Sequence, residues 1–275
     1  MRVIEEPAQA RAALQTLARP IGFVPTMGAL HAGHLRLIET ARQQCGACVV
    51  SLFVNPLQFG PNEDYERYPR DLEHDRQKLE ASGVDVLFAP QSEVMYTQNF
   101  STTVSAGEIG ERYEGAIRPG HFDGVTTVVA KLLNIVQPDV LYLGQKDAQQ
   151  AVILTKLVRE LNFAAEVRIV ETVREADGLA LSSRNAYLSP SERAAAPSLH
   201  VALNVMLTEL QNGAETDRAR ARGLAMLDPS AQLDYLDLVD AHTFQPLPAL
   251  RAPAFLIGAA KFGRTRLIDN LWVRA

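Results

Sequence analysis

Cysteine is almost missing from this chain, which has two, Cys45 and Cys48, in a single CGAC run. A CxxC can be a redox pair or half of a metal site. No second Cys/His pair with metal-ligand spacing accompanies it, which argues against structural zinc. The neighbours favour a packing role. Gly46 suits a helix C-cap and Cys48 opens the apolar run CVVSLFV, so both thiols fall at a helix-to-strand junction. An excess of basic residues is also lacking: the net charge is −5, and nucleic-acid binding, which shows as a basic stripe, is not expected. No apolar run approaches eighteen residues, so no membrane span is expected. The N-terminus, MRVIEEPAQARAAL, carries acids where a secretory signal would be basic and then apolar. A cytoplasmic place is therefore expected. Low-complexity segments, solenoid-length repeats and flexible linkers are absent as well. So is a Walker-type phosphate loop, because GAIRPGH places His121 where that motif requires lysine.

What is present is an ordinary apolar share, 47%, on a chain long enough to bury a large core as one domain or two unequal ones. The most informative stretch is Pro25–His34, PTMGALHAGH. The apolar run Ile21–Val24 leads into a turn at Gly28. Two histidines three apart follow, then an amphipathic helix with Leu35, Ile38 and Ala41. Strand, glycine turn and helix start direct backbone N–H groups and the positive end of the helix dipole outward. His31 and His34, at i and i+3, share one helical face and can donate to the oxygens of a phosphate held there. The pattern points to the α-phosphate of a nucleotide whose bond is being broken. The plainer alternative is two capping histidines. It is disfavoured because the pair occurs together with both glycines and the leading strand.

Periodicity predicts helices over residues 5–17, 34–44, 72–81 and 125–136. It predicts strands over 21–25, 48–54, 84–89, 139–143 and 165–171, a short strand at 102–105, and a loop over 63–71. Continuous apolar strands alternating with helices imply right-handed βαβ units and a parallel sheet covered on both faces. Past residue 172 the rhythm changes to helices over 190–212 and 216–227, an alternating strand over 233–239, and a hairpin over 254–273 turning at Lys261–Arg264. The fold class expected is α/β, a Rossmann-like parallel sheet with helices on both faces, plus a smaller C-terminal α+β domain. The division expected is residues 1–171, binding nucleotide and substrate, and residues 172–275, a lid.

In such a sheet ligands gather at the carboxyl ends of the strands, and three further segments fall there. NPLQF supplies the amides Asn55 and Gln58, suited to neutral hydroxyls and carboxylates. GQKDAQQ repeats the strand–glycine–helix logic. It offers Lys146 as a cation for phosphate oxygens, Asp147 as a helix cap or ribose acceptor, and Gln150 one turn along. EADGLALSSRN carries an Asp177–Gly178 turn signal and then hydroxyls and a guanidinium that suit outer phosphates, or simply forms a polar hairpin end. The glycine-rich stretch 91–124 reads as a lid or binding loop. In it Arg118 either reaches an anion or bridges loop carboxylates.

HxGH resembles the first signature of the nucleotidyl-transferase and class I aminoacyl-tRNA-synthetase superfamily, and LSSRN its second, mobile phosphate-binding signature. PTMGALHAGH, NPLQF, YPRD, RPGHFDGV, GQKDAQQ, EADGLALSSRN and the terminal RLIDN together resemble the pantoate–β-alanine ligase family, in order from about Gly22 to Asn270. One departure is Gln145, where that family's turn more often has an acid. The resemblance implies a reaction of ATP with pantoate to give pantoyl-adenylate and pyrophosphate, followed by attack of β-alanine to give pantothenate and AMP. It implies that ATP is held by Met27, Gly28, Ala29, Leu30, His31, Ala32, Gly33 and His34, with His34 as proton donor. It adds Gly144, Gln145, Lys146, Asp147, Val173, Leu181, Ser182, Ser183 and Arg184 to the ATP site. His34, His31 and Lys146 are the catalytic candidates. Gln58 and Gln150 would hold pantoate, Gln58 would also meet β-alanine, and Asn55 and Arg118 are further candidates for that pocket. Mg²⁺ and a homodimer are implied too, with metal ligands unassigned. Two rivals fit parts of the pattern. One is a nucleotidyltransferase acting on a phosphorylated acceptor, which has no need of Gln58 and Gln150. The other is a nucleotide sensor, which has no need of Lys146 with both histidines.

Overall fold

Strands without polar alternation need cover on both faces. The computed structural model, which describes residues 1–61, 63 and 65–274, shows how they obtain it. Asn62, Asp64 (inside the loop expected over 63–71) and Ala275 lie outside the described residues. The chain divides into two compact units, Met1–Gly144 with Ile153–Val170, and Gln145–Val152 with Glu171–Ala275.

The first unit has six strands, β1 (Arg2–Ile4), β2 (Ile21–Thr26), β3 (Ala47–Leu52), β4 (Val86–Phe88), β5 (Val140–Gly144) and β6 (Glu166–Val170). All pair in parallel, in the order β1-β4-β3-β2-β5-β6. The chain builds outward from β2 through β3 to β4, then returns to the other side of β2 with β5 and β6. The carboxyl ends of β2 and β5 therefore border the topological switch point, where open α/β sheets bind ligands. The helices are α1 (Pro7–Leu14), α2 (Ala32–Gln44), α3 (Leu72–Ala81), α4 (Ser92–Met95), α5 (Glu114–Ile117), α6 (His121–Val136) and α7 (Ala148–Glu160), the last running across the boundary between units. Leu37, Ile38 and Ala41 of α2 pack with Val24, Val50, Leu52, Leu79 and Leu87 in one buried cluster, which also takes in Leu30 from the turn after β2. Burying side chains of this size stabilises by roughly 1.5–3 kcal/mol each.

Several expectations shift here. The short strand at 102–105 does not form. The Val104 N–H instead donates to Thr127 Oγ1 at 2.9 Å, and its carbonyl accepts from Thr126 Oγ1, so α6 side chains replace a neighbouring strand. β1, mostly exposed and three residues long, carries too little pattern to be read beforehand. Helix α1 is shorter than expected, with Pro7 at its first turn. Helix α6 starts at His121, a turn earlier than predicted. Cys45, in extended conformation, rather than Gly46, caps α2. Both cysteines are free thiols, and Cys48 is buried in β3. Burial above all, with Asp85 nearby, pushes its thiol up to about 12, which suits a core residue rather than a redox one.

The second unit holds an antiparallel sheet. Before it come α8 (Pro190–Ala195), α9 (Ser198–Gln211) and α10 (Thr216–Leu224), and its strands are β7 (Ala231–Asp240), β8 (Ala254–Phe262) and β9 (Thr265–Val273), in the order β7-β8-β9. Pro197 splits the single helix expected over 190–212. Leu203, Met206 and Leu210 of α9 and Ala219 of α10 pack with Leu236, Leu238 and Leu256 of the sheet. Among the described residues no helix is long and apolar enough to cross a membrane.

Gly124 lets α6 pack against the turn after β3: a Cβ there would lie 2.2 Å from the Leu57 carbonyl oxygen and 2.6 Å from the Gln58 nitrogen. Gly124→Ala is expected to lower the unfolding free energy by about 1–3 kcal/mol, the usual cost of overpacking. Urea denaturation reads this, and an unchanged midpoint and slope would contradict it.

Candidate active site

The turn after β2 is held from α3. Gly28 (φ +91°) and Ala29 (φ +53°) are both left-handed, and this pair turns the next amides inward. The Ala29 and Leu30 N–H groups donate to the two oxygens of the buried Asp75 carboxylate at 2.7 and 2.9 Å, while Lys78 Nζ donates to the Leu30 carbonyl at 2.6 Å. A Cβ on Gly28 would lie 2.9 Å from Asp75 Oδ2, so the turn needs glycine there for space as well as for conformation. This corrects the expectation that the turn directs its backbone N–H groups outward. The N–H groups of Ala29 and Leu30 are spent on Asp75, and the Leu30 side chain belongs to the core. Asp75 and Lys78 carried no local signal in the sequence, being two charged residues among many on an exposed helix.

The two histidines cap α2 reciprocally. His31, the N-cap residue, accepts the Gly33 N–H on Nδ1 at 3.1 Å, and His34 Nδ1 accepts the His31 N–H at 3.4 Å. Their ring centroids are 4.2 Å apart. Because Nδ1 accepts in both rings, the ring proton of each neutral imidazole sits on Nε2. The sequence set capping against phosphate binding as alternatives, and the geometry makes capping the means of orientation. One nitrogen of each ring fixes the ring to the helix start, and the other carries the ring proton. Ala32 and Gly33 form the first turn of α2, where the helix dipole adds positive potential.

Beside this turn lies an amide cluster. Gln58 Nε2 donates to Met27 Sδ at 2.9 Å, and Gln58 Oε1 accepts from Asn55 Nδ2 at 3.1 Å. Asn55 is saturated. Its Nδ2 also donates to the Gly124 carbonyl, and its Oδ1 accepts from the Tyr96 hydroxyl at 2.7 Å and from the Leu57 N–H. Burial pushes the Tyr96 phenol up, so it stays a donor. Asn55 thus holds Gln58 in place through these internal hydrogen bonds. The Gln58 amide N–H₂ meets only a weak sulfur acceptor among the described residues. The Gln58 carbonyl is held too, by His121 Nδ1 at 2.8 Å and Arg118 Nη2 at 3.3 Å. Of the two roles open to Arg118, bridging is the one observed: it forms a two-armed ion pair with Glu63 and places Nη1 3.1 Å from His121 Nε2. Burial alone would raise the Glu63 carboxyl, but Arg118 holds it below the usual range. His121, given no role of its own in the sequence beyond its place in RPGHFDGV, is the unforeseen member. Burial and then the Arg118 charge press its imidazole down to about 4.

The remaining candidates lie in the second unit, Gly144 excepted, which ends β5. Gln145–Asp147 form a single 3-10 turn leading into α7. Lys146 is half-buried there with Nζ 3.3 Å from Asp147 Oδ1, and Gln150 follows on α7. The Val173 carbonyl accepts the Leu181 N–H at 3.0 Å, Arg174 and Ala180 form an antiparallel bridge, and Ser182 caps the turn that carries Ser183 and Arg184.

A parallel α/β sheet with a glycine turn and an imidazole-capped helix start at its switch point defines an enzyme that handles a nucleotide by its phosphates. The family model for pantoate–β-alanine ligase matches residues 2–272, and the chain belongs to that family. It is 52% identical over 274 residues to the pantothenate synthetase of Chloroflexus aurantiacus, covering 98% of this chain and 96% of that one. The structure is similar to a crystal structure of pantothenate synthetase from Thermus thermophilus, with TM-score 0.95, 51% identity and all of both chains covered. It is also similar to the pantoate–β-alanine ligase of Francisella tularensis, solved in complex with β-γ ATP and β-alanine, with TM-score 0.80, 34% identity and 99% and 97% coverage.

Two outcomes test this geometry. Asp75→Asn turns an NH₂ group toward one of the two turn amides and should cost about 1–3 kcal/mol of stability; an unfolding curve like that of the parent would contradict the clamp. The His121 imidazole titrates near 6.5 unfolded and about 4 folded, so the unfolded chain binds more protons between those values. Stability should fall as pH drops through that window, by on the order of 2 kcal/mol from pH 7 to pH 5. His121→Gln should remove most of that slope in urea titrations at the two pH values. An equal slope in both proteins would exclude His121 as its source.

Proposed function

We propose that this protein condenses pantoate with β-alanine at the expense of ATP, through a pantoyl-adenylate. The observation that carries the reading is the reciprocal His31–His34 cap at the start of α2, which puts the ring protons of two imidazoles on Nε2 at the end of a sheet strand bordering the switch point. The pantoate carboxylate is ionised at neutral pH and needs no base. One of its oxygens attacks the α-phosphorus of ATP, and the bond to the departing pyrophosphate breaks. The obstacle is an anion approaching a polyphosphate. His31, His34 and Lys146 supply hydrogen-bond donors as charge builds on the phosphate oxygens, and His34, with its proton on Nε2, fits the role of proton donor. The neutral amine of β-alanine then attacks the acyl carbon, AMP leaves with the bonding pair, and the amine loses its proton. Gln58, and Gln150 on α7, hold pantoate, and Gln58 also meets β-alanine. Gly144–Asp147, Val173 and Leu181–Arg184 serve ATP, with Ser182, Ser183 and Arg184 on the outer phosphates.

The proposal assigns residues 1–171 to nucleotide and pantoate binding and residues 172–275 to a lid that keeps water from the mixed anhydride. A homodimer in the cytoplasm belongs to the same reading, by family likeness. Magnesium is included as ATP's companion. Among the described residues no group of three or more His, Cys, Asp or Glu could hold a metal ion, so the residues do not form a protein cage for it. Its ligands would be chiefly phosphate oxygens and water.

Pyrophosphate exchange into ATP tests the reading. Exchange should require pantoate, and adding β-alanine should release AMP. Exchange with a phosphorylated acceptor instead, or none at all, would overturn it. Lys146→Ala should cut adenylate formation by a factor on the order of 100 to 1000, since one such donor is typically worth ~3 kcal/mol. An unchanged single-turnover rate would remove Lys146 from the chemistry.

A further inference from the structure

The terminal RLIDN segment has no part in the chemistry above, yet its last two residues are among the most enclosed polar groups in the second unit. Asp269 and Asn270 are adjacent on β9 and are 6% and 2% exposed. We infer that this pair consists of positioning residues, which lock the Lys146 turn and the hairpin leading to Ser182–Arg184 into one piece. The inference rests on the ATP roles proposed for those two segments.

The Asn270 arm acts on the backbone around Lys146. Its Nδ2 donates to the carbonyls of Gln145 and Lys146, both at 2.9 Å, and its Oδ1 accepts from Gln145 Nε2 at 3.1 Å. Two carbonyl acceptors on one side fix the orientation of the amide, since only its NH₂ end can face them. Those carbonyls belong to the two peptide planes on either side of the Lys146 Cα. Holding both planes sets φ and ψ at that residue, and so sets the direction in which the ammonium-bearing chain leaves the backbone.

The Asp269 arm acts on the hairpin. Its Oδ1 and Oδ2 take both ends of the Arg174 guanidinium at 2.8 and 2.7 Å, the fork geometry that makes arginine–carboxylate pairs specific. His200 Nδ1 lies 3.1 Å from Oδ2, and the Asn270 N–H donates to Oδ1 at 2.7 Å. Burial alone would raise the Asp269 carboxyl, but His200 and Arg174 outweigh it and keep the group ionised. Arg174 passes the constraint on. Its guanidinium donates to the carbonyls of Gly178 and Asn270 at 3.0 and 3.1 Å, and its backbone bridges Ala180 two residues before Ser182. Asn270 also meets the Gln145 side chain directly. Toward Lys146 and Ser182–Arg184 the pair acts through the backbone that presents them.

The test compares full-length Asn270→Ala and the milder Asn270→Ser with the parent, using pantoate-dependent pyrophosphate exchange, KM for pantoate and thermal unfolding. Each variant should lower the exchange kcat about 10- to 100-fold, the penalty of a misdirected reacting group, with KM for pantoate changed less than twofold. Combined with Lys146→Ala, Asn270→Ser should slow exchange no further than Lys146→Ala alone, because a residue acting through the lysine has nothing left to act on. A folded Asn270→Ser with the parental kcat, or a double variant slowed by the product of the two single effects, overturns the inference. A role in stability alone would lower the melting temperature and leave the constants per folded site intact. If the parent itself shows no pantoate-dependent exchange, the functional reading fails; if only the variants behave like the parent, the clamp fails and that reading stands.

Discussion

The site depends on one nitrogen in each of two imidazoles being used by the backbone. His31 and His34 accept main-chain N–H groups on Nδ1, and this fixes which nitrogen carries the proton and where it points. A free histidine on a helix surface would sample rotamers and both tautomers, losing entropy each time it met a phosphate. Here that loss is taken during folding. The arrangement exists only because the preceding turn is rigid, and Asp75 and Lys78 make it so from α3, a helix far along the chain. A buried carboxylate gripping two amides is an expensive group to enclose unless it is fully partnered, and the turn supplies those partners.

The same economy recurs in the amide cluster and in the second unit. Asn55 is saturated by four internal hydrogen bonds so that Gln58 holds one orientation, and His121 with Arg118 steadies the Gln58 carbonyl. In each case a group proposed to meet a substrate sits one bond away from a group engaged in internal hydrogen bonds. Preorganised dipoles of this kind matter most for a reaction in which an anion approaches a polyphosphate, since the charge that develops is met without reorganisation.

The sheet, its parallel sense and the α+β character of the C-terminal part were legible in the sequence because they rest on local periodicity. Ile21–Val24 and Cys48–Leu52 are apolar without alternation, and Ala254–Val273 divides at an obvious turn. The histidine pair was legible because its spacing is short. Elements that draw on distant partners were not. Residues 102–105 looked like a strand, but their hydrogen bonds go to threonine side chains of α6. For Asn55, nothing nearby in sequence revealed Tyr96 and Gly124 as its partners. The individual contacts of Asp75, His121 and Asp269 were not legible for the same reason: a charged or imidazole side chain acquires meaning from what folding places against it.

On the function proposed, both imidazoles carry their proton on Nε2, set there by the cap, and meet a phosphate with it. Two-bond ¹⁵N–¹H correlation of the histidine rings, with and without a non-hydrolysable ATP analogue, measures it directly. The account predicts an unprotonated Nδ1 and a protonated Nε2 for His31 and His34 before ligand is added, and a shift of both Nε2–H signals when the analogue binds. Protons found on Nδ1, or Nε2–H signals indifferent to saturating analogue, would contradict it.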